Sequence, residues 1–178
     1  MPAYWTSLAI ENGEKFAGPA TRDGFLVFDF AAPDQWAYAL YAGHNYADVT
    51  VETEMQSRTA GDGAGGVVCR YDQQKGWYEF NIYADQTYQL LFGQWLAPGV
   101  ARYTPLFQGQ SGKITGEANR IALQCQGNML TPFINGVQMR RWPEQKFGLQ
   151  EGECGLSAAS FQDVPFTIAF DSVKINEP

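Results

Sequence analysis

The stretch GGVVCRYDQQKGWYEFNIYADQTYQLLF, residues 65–92, decides the fold because apolar and polar residues alternate along its three segments. A period of two is the pattern of a strand that buries one face, so the stretch predicts three consecutive antiparallel strands. The side chains assigned to the inner face are Val67, Cys69, Tyr71, Tyr78, Phe80, Ile82, Tyr88, Leu90 and Phe92. Those assigned to the outer face are Val68, Arg70, Asp72, Trp77, Glu79, Asn81, Tyr83 and Gln89.

The outer face carries an arginine, a carboxylate, carboxamides and large aromatic rings, where an ordinary solvated face carries lysine, threonine and glutamate. Sugars bind to aromatic platforms and to planar polar side chains, because a pyranose presents both apolar and hydroxyl surfaces. The sequence therefore predicts a ligand-binding face, and Trp77→Ala is expected to abolish glycan binding without unfolding the chain. Aromatic packing at the sheet edges is the alternative. The predicted ligand-binding residues are Arg70, Trp77, Glu79, Asn81, Tyr83, Gln89 and Trp95.

The whole chain of 178 residues fits one domain, residues 1–178, and its glycine-rich turns separate eleven strand-like segments. This spacing is typical of an all-β sandwich or barrel. Asn135-Gly136 predicts a two-residue hairpin turn, and a change of parity along the last strand predicts a β-bulge near Asp171. Residues 94–118 are expected to form long loops. The predicted strands are 25–30, 36–41, 47–56, 66–72, 76–84, 87–93, 119–126, 129–135, 137–142, 153–159 and 165–175.

The net charge of −7 opposes binding to nucleic acid or to an anionic membrane, since phosphate binding needs clustered lysine and arginine. No segment approaches the ~18 apolar residues of a spanning helix, so membrane insertion is not expected. The N-terminus lacks the basic region of a signal peptide, yet compact aromatic β domains of this kind favour an extracellular or cell-surface location. All three cysteines have inward parity. Either three buried thiols or a Cys69–Cys125 disulfide with Cys154 free is compatible with the pattern.

Motifs for catalysis are sparse in this chain. Residues 61–66 match GxGxxG, but they precede a strand and no helix, so we interpret them as a strand connector. His44 is the sole histidine, which disfavours triads and histidine-based metal sites; its turn-like setting predicts an exposed loop position. Glu52 and Glu54 share a face and form a candidate acid pair, with solvated charges as the alternative. Asp171 is a weak candidate calcium ligand, and no other cofactor is expected.

Five segments of the chain together resemble one family of β domains: GGVVCRY (65–71), WYEFNIYAD (77–85), NRIALQCQGNMLTPFINGVQM (119–139), GECGLSAA (152–159) and FTIAFDSVKI (166–175). These resemble the concanavalin A-like jelly-roll domains of lectins and glucanases, including the 3-keto-disaccharide hydrolase-like family and laminin-G-like modules on bacterial surfaces. The resemblance implies a jelly-roll sandwich of two antiparallel sheets. In hydrolase-like members a tyrosine-glutamate pair followed by an amide lies in the concave groove, and Tyr78-Glu79-Phe80-Asn81 is similar to that element.

Three departures separate this chain from the catalytic members, and one is that no second groove carboxylate can be matched to theirs. Asparagine stands at 81 where those members have the longer glutamine, and residues 52–56 lack the aspartate and the last glutamate of the glucanase ExDxxE signature. Fold transfers between relatives more readily than function does. We therefore expect a noncatalytic carbohydrate-binding or cell-surface recognition module with an oligosaccharide or polysaccharide partner. The alternatives are a glycoside hydrolase-like enzyme that uses Glu79 as acid or base, and a structural or protein-interaction domain.

Overall fold

The computed structural model describes residues 3–10 and 15–178, and every regular element in this part of the chain is a β-strand. The strands are β1 (Trp5–Ile10), β2 (Ala20–Arg22), β3 (Phe25–Phe30), β4 (Gln35–Tyr46), β5 (Val49–Ser57), β6 (Gly63–Asp72), β7 (Gly76–Tyr83), β8 (Thr87–Ala97), β9 (Val100–Gln110), β10 (Asn119–Gln126), β11 (Met129–Ile134), β12 (Val137–Gln138), β13 (Trp142–Pro143), β14 (Gly152–Ser160) and β15 (Phe166–Asn176).

The strands form two antiparallel sheets that pack face to face. The first sheet has seven strands in the order β1-β4-β14-β6-β7-β8-β9. The second sheet has eight strands, β12-β11-β10-β5-β15-β3-β2, with β13 paired to β11 off this path. Consecutive strands form the run β6-β7-β8-β9, whereas β14 lies between β4 and β6 and β15 lies between β5 and β3, as the long crossovers of a jelly roll require. The prediction of a concanavalin A-like jelly-roll sandwich is confirmed. Among the described residues no helix is long and apolar enough to cross a membrane.

The main core lies between the two sheets and contains the residues with inward parity. Phe80 and Leu90 of the first sheet are fully buried, as are Leu123 and Ile134 of the second. A Cys69–Cys125 disulfide joins β6 to β10 across this core, while Cys154 is a buried free thiol. Burial raises the pKa of the Cys154 thiol to about 12, so it stays protonated at neutral pH. The disulfide alternative is therefore the one that the structure adopts.

Local chemistry explains the turns and bulges that the sequence predicts. Asn135 and Gly136 have φ values of 49° and 79°, the pair of positive angles that a type I′ hairpin turn needs. The pairing of β15 with β5 shifts register between Phe170 and Val173, which is the bulge expected near Asp171. Both predictions are confirmed.

Residues 94–118 differ from the expected long loops, because β8 runs on to Ala97 and β9 covers 100–110. The proline and glycines of this segment resemble a loop in sequence. However, β9 lies at the open edge of its sheet, where Pro105 breaks no pairing on the solvent side. The short strands β1 and β2 were likewise not predicted.

The glycine run 61–66 is also more regular than a connector, since β6 begins at Gly63. A Cβ atom at Gly65 would lie 2.3 Å from the Ile168 side chain of the opposite sheet. The run is therefore poor in side chains because the two sheets approach closely here, and the strand assignment replaces our connector interpretation.

Candidate functional site

The first sheet curls strongly, and its face away from the main core is concave. Tyr38 on β4 and Tyr103 on β9 are five strands apart, yet their hydroxyl oxygens are 2.6 Å from each other. In a flat sheet five strand spacings would amount to about 24 Å, more than two tyrosine side chains can span. The curl therefore brings the two ends of this face together above its centre.

The centre of the concave face is occupied by a hydrogen-bonded cluster around Glu79. The carboxylate accepts hydrogen bonds from Tyr38 Oη at 3.0 Å, Trp77 Nε1 at 2.9 Å and Asn81 Nδ2 at 2.7 Å. Glu79 has 0% of its surface exposed. Three donors around a buried carboxylate compensate the loss of hydration, so the sequence-predicted polar face exists but is closed at this point.

Gly66 makes room for one arm of this cluster. Ser157 Oγ on β14 donates to Asn81 Oδ1 on β7 at 2.9 Å, and Gly66 on β6 pairs with both residues. A Cβ atom at Gly66 would lie 1.8 Å from Asn81 Oδ1. The bond that positions the Asn81 amide can thus pass over β6 only because position 66 lacks a side chain.

Trp77 packs beneath the same cluster and has 0% of its surface exposed. Its ring centroid lies 5.5 Å from those of Tyr38 and Tyr71 and 5.3 Å from that of Trp95. Trp77 points away from the main core, as its parity predicts, but these rings cover it. It has no face on which a sugar can stack in this structure.

Burial governs the charge state of Glu79. Loss of hydration raises the pKa of the Glu79 carboxyl, and the hydrogen bonds from Trp77, Asn81 and Tyr38 oppose that rise. A carboxyl whose pKa is higher in the folded state stabilises the fold below its unfolded pKa. That contribution is lost as the pH rises through the folded pKa.

We expect Glu79→Gln to remove this pH dependence, because an amide does not ionise. The free energy of unfolding of the variant minus that of the wild type should therefore increase as the pH rises from about 4, near the unfolded pKa of glutamate, to about 8. Urea denaturation of both proteins across this range measures the difference. A difference that stays constant, or that falls with pH, would contradict the raised pKa.

Arg70 does not lie on the concave face, which corrects its predicted outward position. It has a φ of 54°, and the pairing of β6 with β7 shifts register between Cys69 and Asp72. This bulge reverses the parity of the strand end, so Tyr71, expected in the main core, packs on the concave side against Trp77. The Arg70 guanidinium is 2% exposed and donates to the backbone carbonyls of three loops, those of Ala47, Gly127 and Leu149.

An open groove with a volume of about 750 Å³ lies on the concave face at one end of the closed centre. Tyr83 Oη donates to Gln89 Oε1 at 3.1 Å, and Gln89 Nε2 lies 3.5 Å from Gln108 Oε1 on β9. Tyr83 and Gln89, both predicted ligand-binding residues, therefore lie in one accessible groove. The aromatic side chains around them are Trp36, Tyr88, Tyr103 and Phe161.

Trp95 lies at the other end of the concave face. Its indole Nε1 donates to Tyr71 Oη at 3.0 Å, and its ring lines a separate groove with Leu8, Gln73 and Gln74. The structure thus divides the predicted set: Tyr83 and Gln89 meet in one groove, and Trp95 is in another. Glu79, Asn81 and Trp77 form the buried centre, and Arg70 lies elsewhere.

The other acidic candidates are remote from this face. Glu54 and Asp171 are exposed on the second sheet, and Glu52 is half-buried and lies 3.5 Å from the Lys174 ammonium, as expected for solvated charges. Among the described residues no group of three or more histidine, cysteine, aspartate or glutamate side chains could hold a metal ion. His44 is exposed, but it lies near the end of β4 and not in a loop, 3.8 Å from Glu177.

Several groove residues escaped the sequence prediction. Trp36 begins the predicted strand 36–41 and was not among the predicted ligand-binding residues, while Gln108 and Tyr103 fell in the segment expected to be loops. Phe161 follows β14 directly, and its ring is stacked on Tyr83 at 5.9 Å between centroids. Regular alternation along β9 would have been the signal for Tyr103 and Gln108. A bulge at Leu106, opposite the Leu90–Leu91 step, interrupts that alternation.

Known proteins share the fold at low sequence identity. No family model matches the sequence, and no curated protein matches it. The carbohydrate binding module CBM66 from Bacillus subtilis superposes with a TM-score of 0.70 and 16% identity, over 98% of this chain and 96% of that one. A glycoside hydrolase family 16 endo-glucanase from Bacteroides ovatus gives a TM-score of 0.66 and 13% identity, over 97% and 94%.

A beta-glucanase of Bacillus licheniformis gives a TM-score of 0.63 and 12% identity, over 100% of this chain and 94% of that one. At such identities the likeness establishes architecture alone, and the names of these proteins describe their own activities. Together with the two-sheet topology, it shows that this chain has the concanavalin A-like jelly-roll fold shared by lectin-like modules and glucanases.

Proposed function

We propose that this chain is a noncatalytic carbohydrate-binding module, and that the groove around Tyr83 and Gln89 takes a neutral saccharide. The observation that carries the proposal is the composition of this groove. Its walls are aromatic. A short chain of hydrogen bonds runs from the Tyr83 hydroxyl through the Gln89 amide to the Gln108 amide. A volume of about 750 Å³ falls within the range of ligand sites in proteins.

The hydrogen bonds of this chain all point the same way. Tyr83 donates a hydrogen bond to Gln89, and Gln89 donates one to Gln108. The side-chain NH2 group of Gln108 is therefore left to donate to a ligand. Sugar hydroxyl oxygens accept such bonds, while the C–H faces of a pyranose pack on aromatic rings. The same groove thus supplies both kinds of contact that a sugar needs.

Charge favours an uncharged ligand. Among the described residues, Asp85 is the one ionisable carboxylate that lines the groove, and no lysine, arginine or histidine does so. An acidic sugar would therefore meet repulsion without a compensating cation. The net charge of −7 on the whole chain also repels an acidic sugar.

The positions of the acids support binding over hydrolysis. A general acid must reach the glycosidic oxygen, but Glu79 is enclosed by Tyr38, Trp77 and Asn81. Asp85 is exposed, and hydrogen bonds from the Thr87 hydroxyl and backbone amide lower its pKa, so it is ionised at neutral pH and has no proton to give. We place the module outside the cell, because a disulfide such as Cys69–Cys125 persists in oxidising compartments.

Variants on the groove rim test the proposal. We expect Gln108→Ala to weaken saccharide binding by about 2- to 10-fold, the value of one hydrogen bond. Tyr83→Ala should weaken it by about 10-fold or more, since it removes an aromatic face and the donor to Gln89. Calorimetric titration measures these affinities with neutral tetrasaccharides of glucose, mannose, galactose and fructose types, and with uronic-acid tetrasaccharides of the first three.

Matched controls lie outside the groove. Gln150→Ala removes an exposed amide and Tyr4→Ala removes a tyrosine that is 71% exposed, and neither should change affinity. Circular dichroism checks that each variant is folded. If the wild type binds none of these glycans, the carbohydrate-binding proposal is wrong and a protein-interaction role takes its place. Binding that survives Tyr83→Ala and Gln108→Ala unchanged would place the site elsewhere.

A further inference from the structure

A second groove, about 730 Å³ in volume, opens at the opposite end of the concave face. Strand β1 contributes Leu8 to it, the β6–β7 turn contributes Gln73 and Gln74, and the β8–β9 hairpin contributes Trp95 and Leu96. Within residues 3–10 and 15–178, the two grooves have no lining residue in common.

The closed centre of the face separates the two grooves. Along β8 the residues on this face are Gln89, Leu91, Gly93 and Trp95, in that order. The Trp77 ring lies over Gly93, and Tyr103 pairs with Gly93 from the other side. Gln89 and Trp95 are six residues apart, about 20 Å along an extended strand, so the grooves are distinct places.

Trp95 is a fixed platform in the second groove. Its indole nitrogen donates to Tyr71 Oη at 3.0 Å, and its ring leans on buried Trp77 with centroids 5.3 Å apart. These contacts hold the ring on the side that faces the centre and leave it half-exposed on the groove side. A ring already held in place loses little conformational freedom when it binds a ligand.

The polar part of this groove comes from two glutamines. Gln73 and Gln74 are exposed in the turn between β6 and β7, and among the described residues neither side-chain amide has a protein partner. The described lining contains no charged side chain, and Leu96, which is 57% exposed, extends its apolar surface. The aromatic face and the free amides repeat the chemistry of the first groove, and the described part of this lining lacks even the single carboxylate, Asp85, found there.

We propose that this second groove is an independent saccharide-binding site, so that the module carries two sites on one concave face. The class of ligand, a neutral sugar, rests on the proposed function. When one site holds a polysaccharide, the second site on the same rigid domain meets that polysaccharide at a high effective concentration. The two sites together therefore bind it more tightly than either site alone. The module is therefore built to hold long or densely displayed glycans in preference to short free ones.

Binding stoichiometry tests this proposal. Calorimetric titration of the intact chain uses the neutral tetrasaccharides of glucose, mannose, galactose and fructose types, and we expect two bound molecules per chain. Trp95→Ala should leave one, and Tyr83→Ala should leave the other. The double variant should bind none.

Because Trp95 also packs on Trp77, a surface variant keeps the test independent of folding. The exposed pair Gln73→Ala with Gln74→Ala should weaken only the site that Trp95→Ala removes, by about 5-fold or more. A stoichiometry of one that is unchanged by these variants would overturn the second site and leave the proposed function intact. One site lost only with Trp95→Ala and weakened by the glutamine pair would support the second groove and overturn the first. No binding by the wild type would overturn both.

Discussion

Trp77→Ala is expected to lower the free energy of unfolding by about 3–5 kcal/mol, the usual cost of removing a large buried aromatic side chain. The variant loses ring contacts with Tyr38, Tyr71 and Trp95, and it leaves a cavity under the concave face. It also removes one donor to the buried Glu79 carboxylate, which adds an unsatisfied polar group. Urea denaturation of wild type and variant measures the difference.

The same substitution in an exposed platform would leave stability nearly unchanged. The Tyr4→Ala variant is the control, because removing this exposed ring should lower the free energy of unfolding by less than about 0.5 kcal/mol. If Trp77→Ala denatures with the same midpoint and slope as the wild type, then Trp77 is solvent-exposed in solution. In that case the expectation drawn from strand parity, that Trp77 is a sugar platform, would be correct.

Arg70→Ala is expected to destabilise the fold by a similar amount, about 3–5 kcal/mol, because it removes a buried side chain that donates to the carbonyls of three loops. The guanidinium donates to Ala47, Gly127 and Leu149 at 2.8–2.9 Å and also contacts Asp48 at 3.3 Å. Alanine leaves these oxygens without their protein donor, and of the three bonds the one to the Leu149 carbonyl is buried.

Arg102→Ala provides the matched control for Arg70. Arg102 is exposed and its guanidinium donates to the Gln94 side chain, so its loss should cost less than about 1 kcal/mol. Arg70→Lys separates charge from geometry, since lysine keeps the positive charge but lacks the planar guanidinium with its five donors in a fixed arrangement. A loss below about 1 kcal/mol for Arg70→Ala would show that the loops do not depend on this side chain.

Strand parity predicts which way a side chain points, and it succeeds where the strand stays regular. Phe80, Leu90, Leu123 and Ile134 all fall in the core between the sheets, as alternation requires. The prediction for Arg70 and Tyr71 was wrong because a one-residue bulge reverses parity after Cys69. No local sequence signal predicts this bulge, because the residue that forms it is an arginine with an unusual positive φ. Its side chain is held by contacts with three loops that are distant in sequence.

Whether a side chain on the outer face is exposed to solvent is a separate question from the direction in which it points. Local sequence does not predict this exposure. Glu79 is buried because Tyr38 and Tyr103, 41 residues before it and 24 after it, meet above it through the curl of the sheet. The accessible part of the face lies at its two ends. Tyr83 and Gln89 were assigned to this face correctly, and Trp95, which was expected in a loop, lies on it as well. Their division between two grooves depends on the filled centre, which only the folded sheet creates.

The most direct test of the account is to follow the backbone amide resonances of the isotope-labelled wild type during titration with a bound neutral tetrasaccharide. Two binding sites on the concave face should give shifts grouped at Tyr83, Gln89, Gln108 and Phe161, with a second group at Gln73, Gln74 and Trp95. Resonances of Glu52, Glu54 and Lys174, on the outer face of the second sheet, should not move. Saturating saccharide that shifts those residues and leaves Tyr83, Gln89 and Gln108 unchanged would contradict a binding site on the concave face.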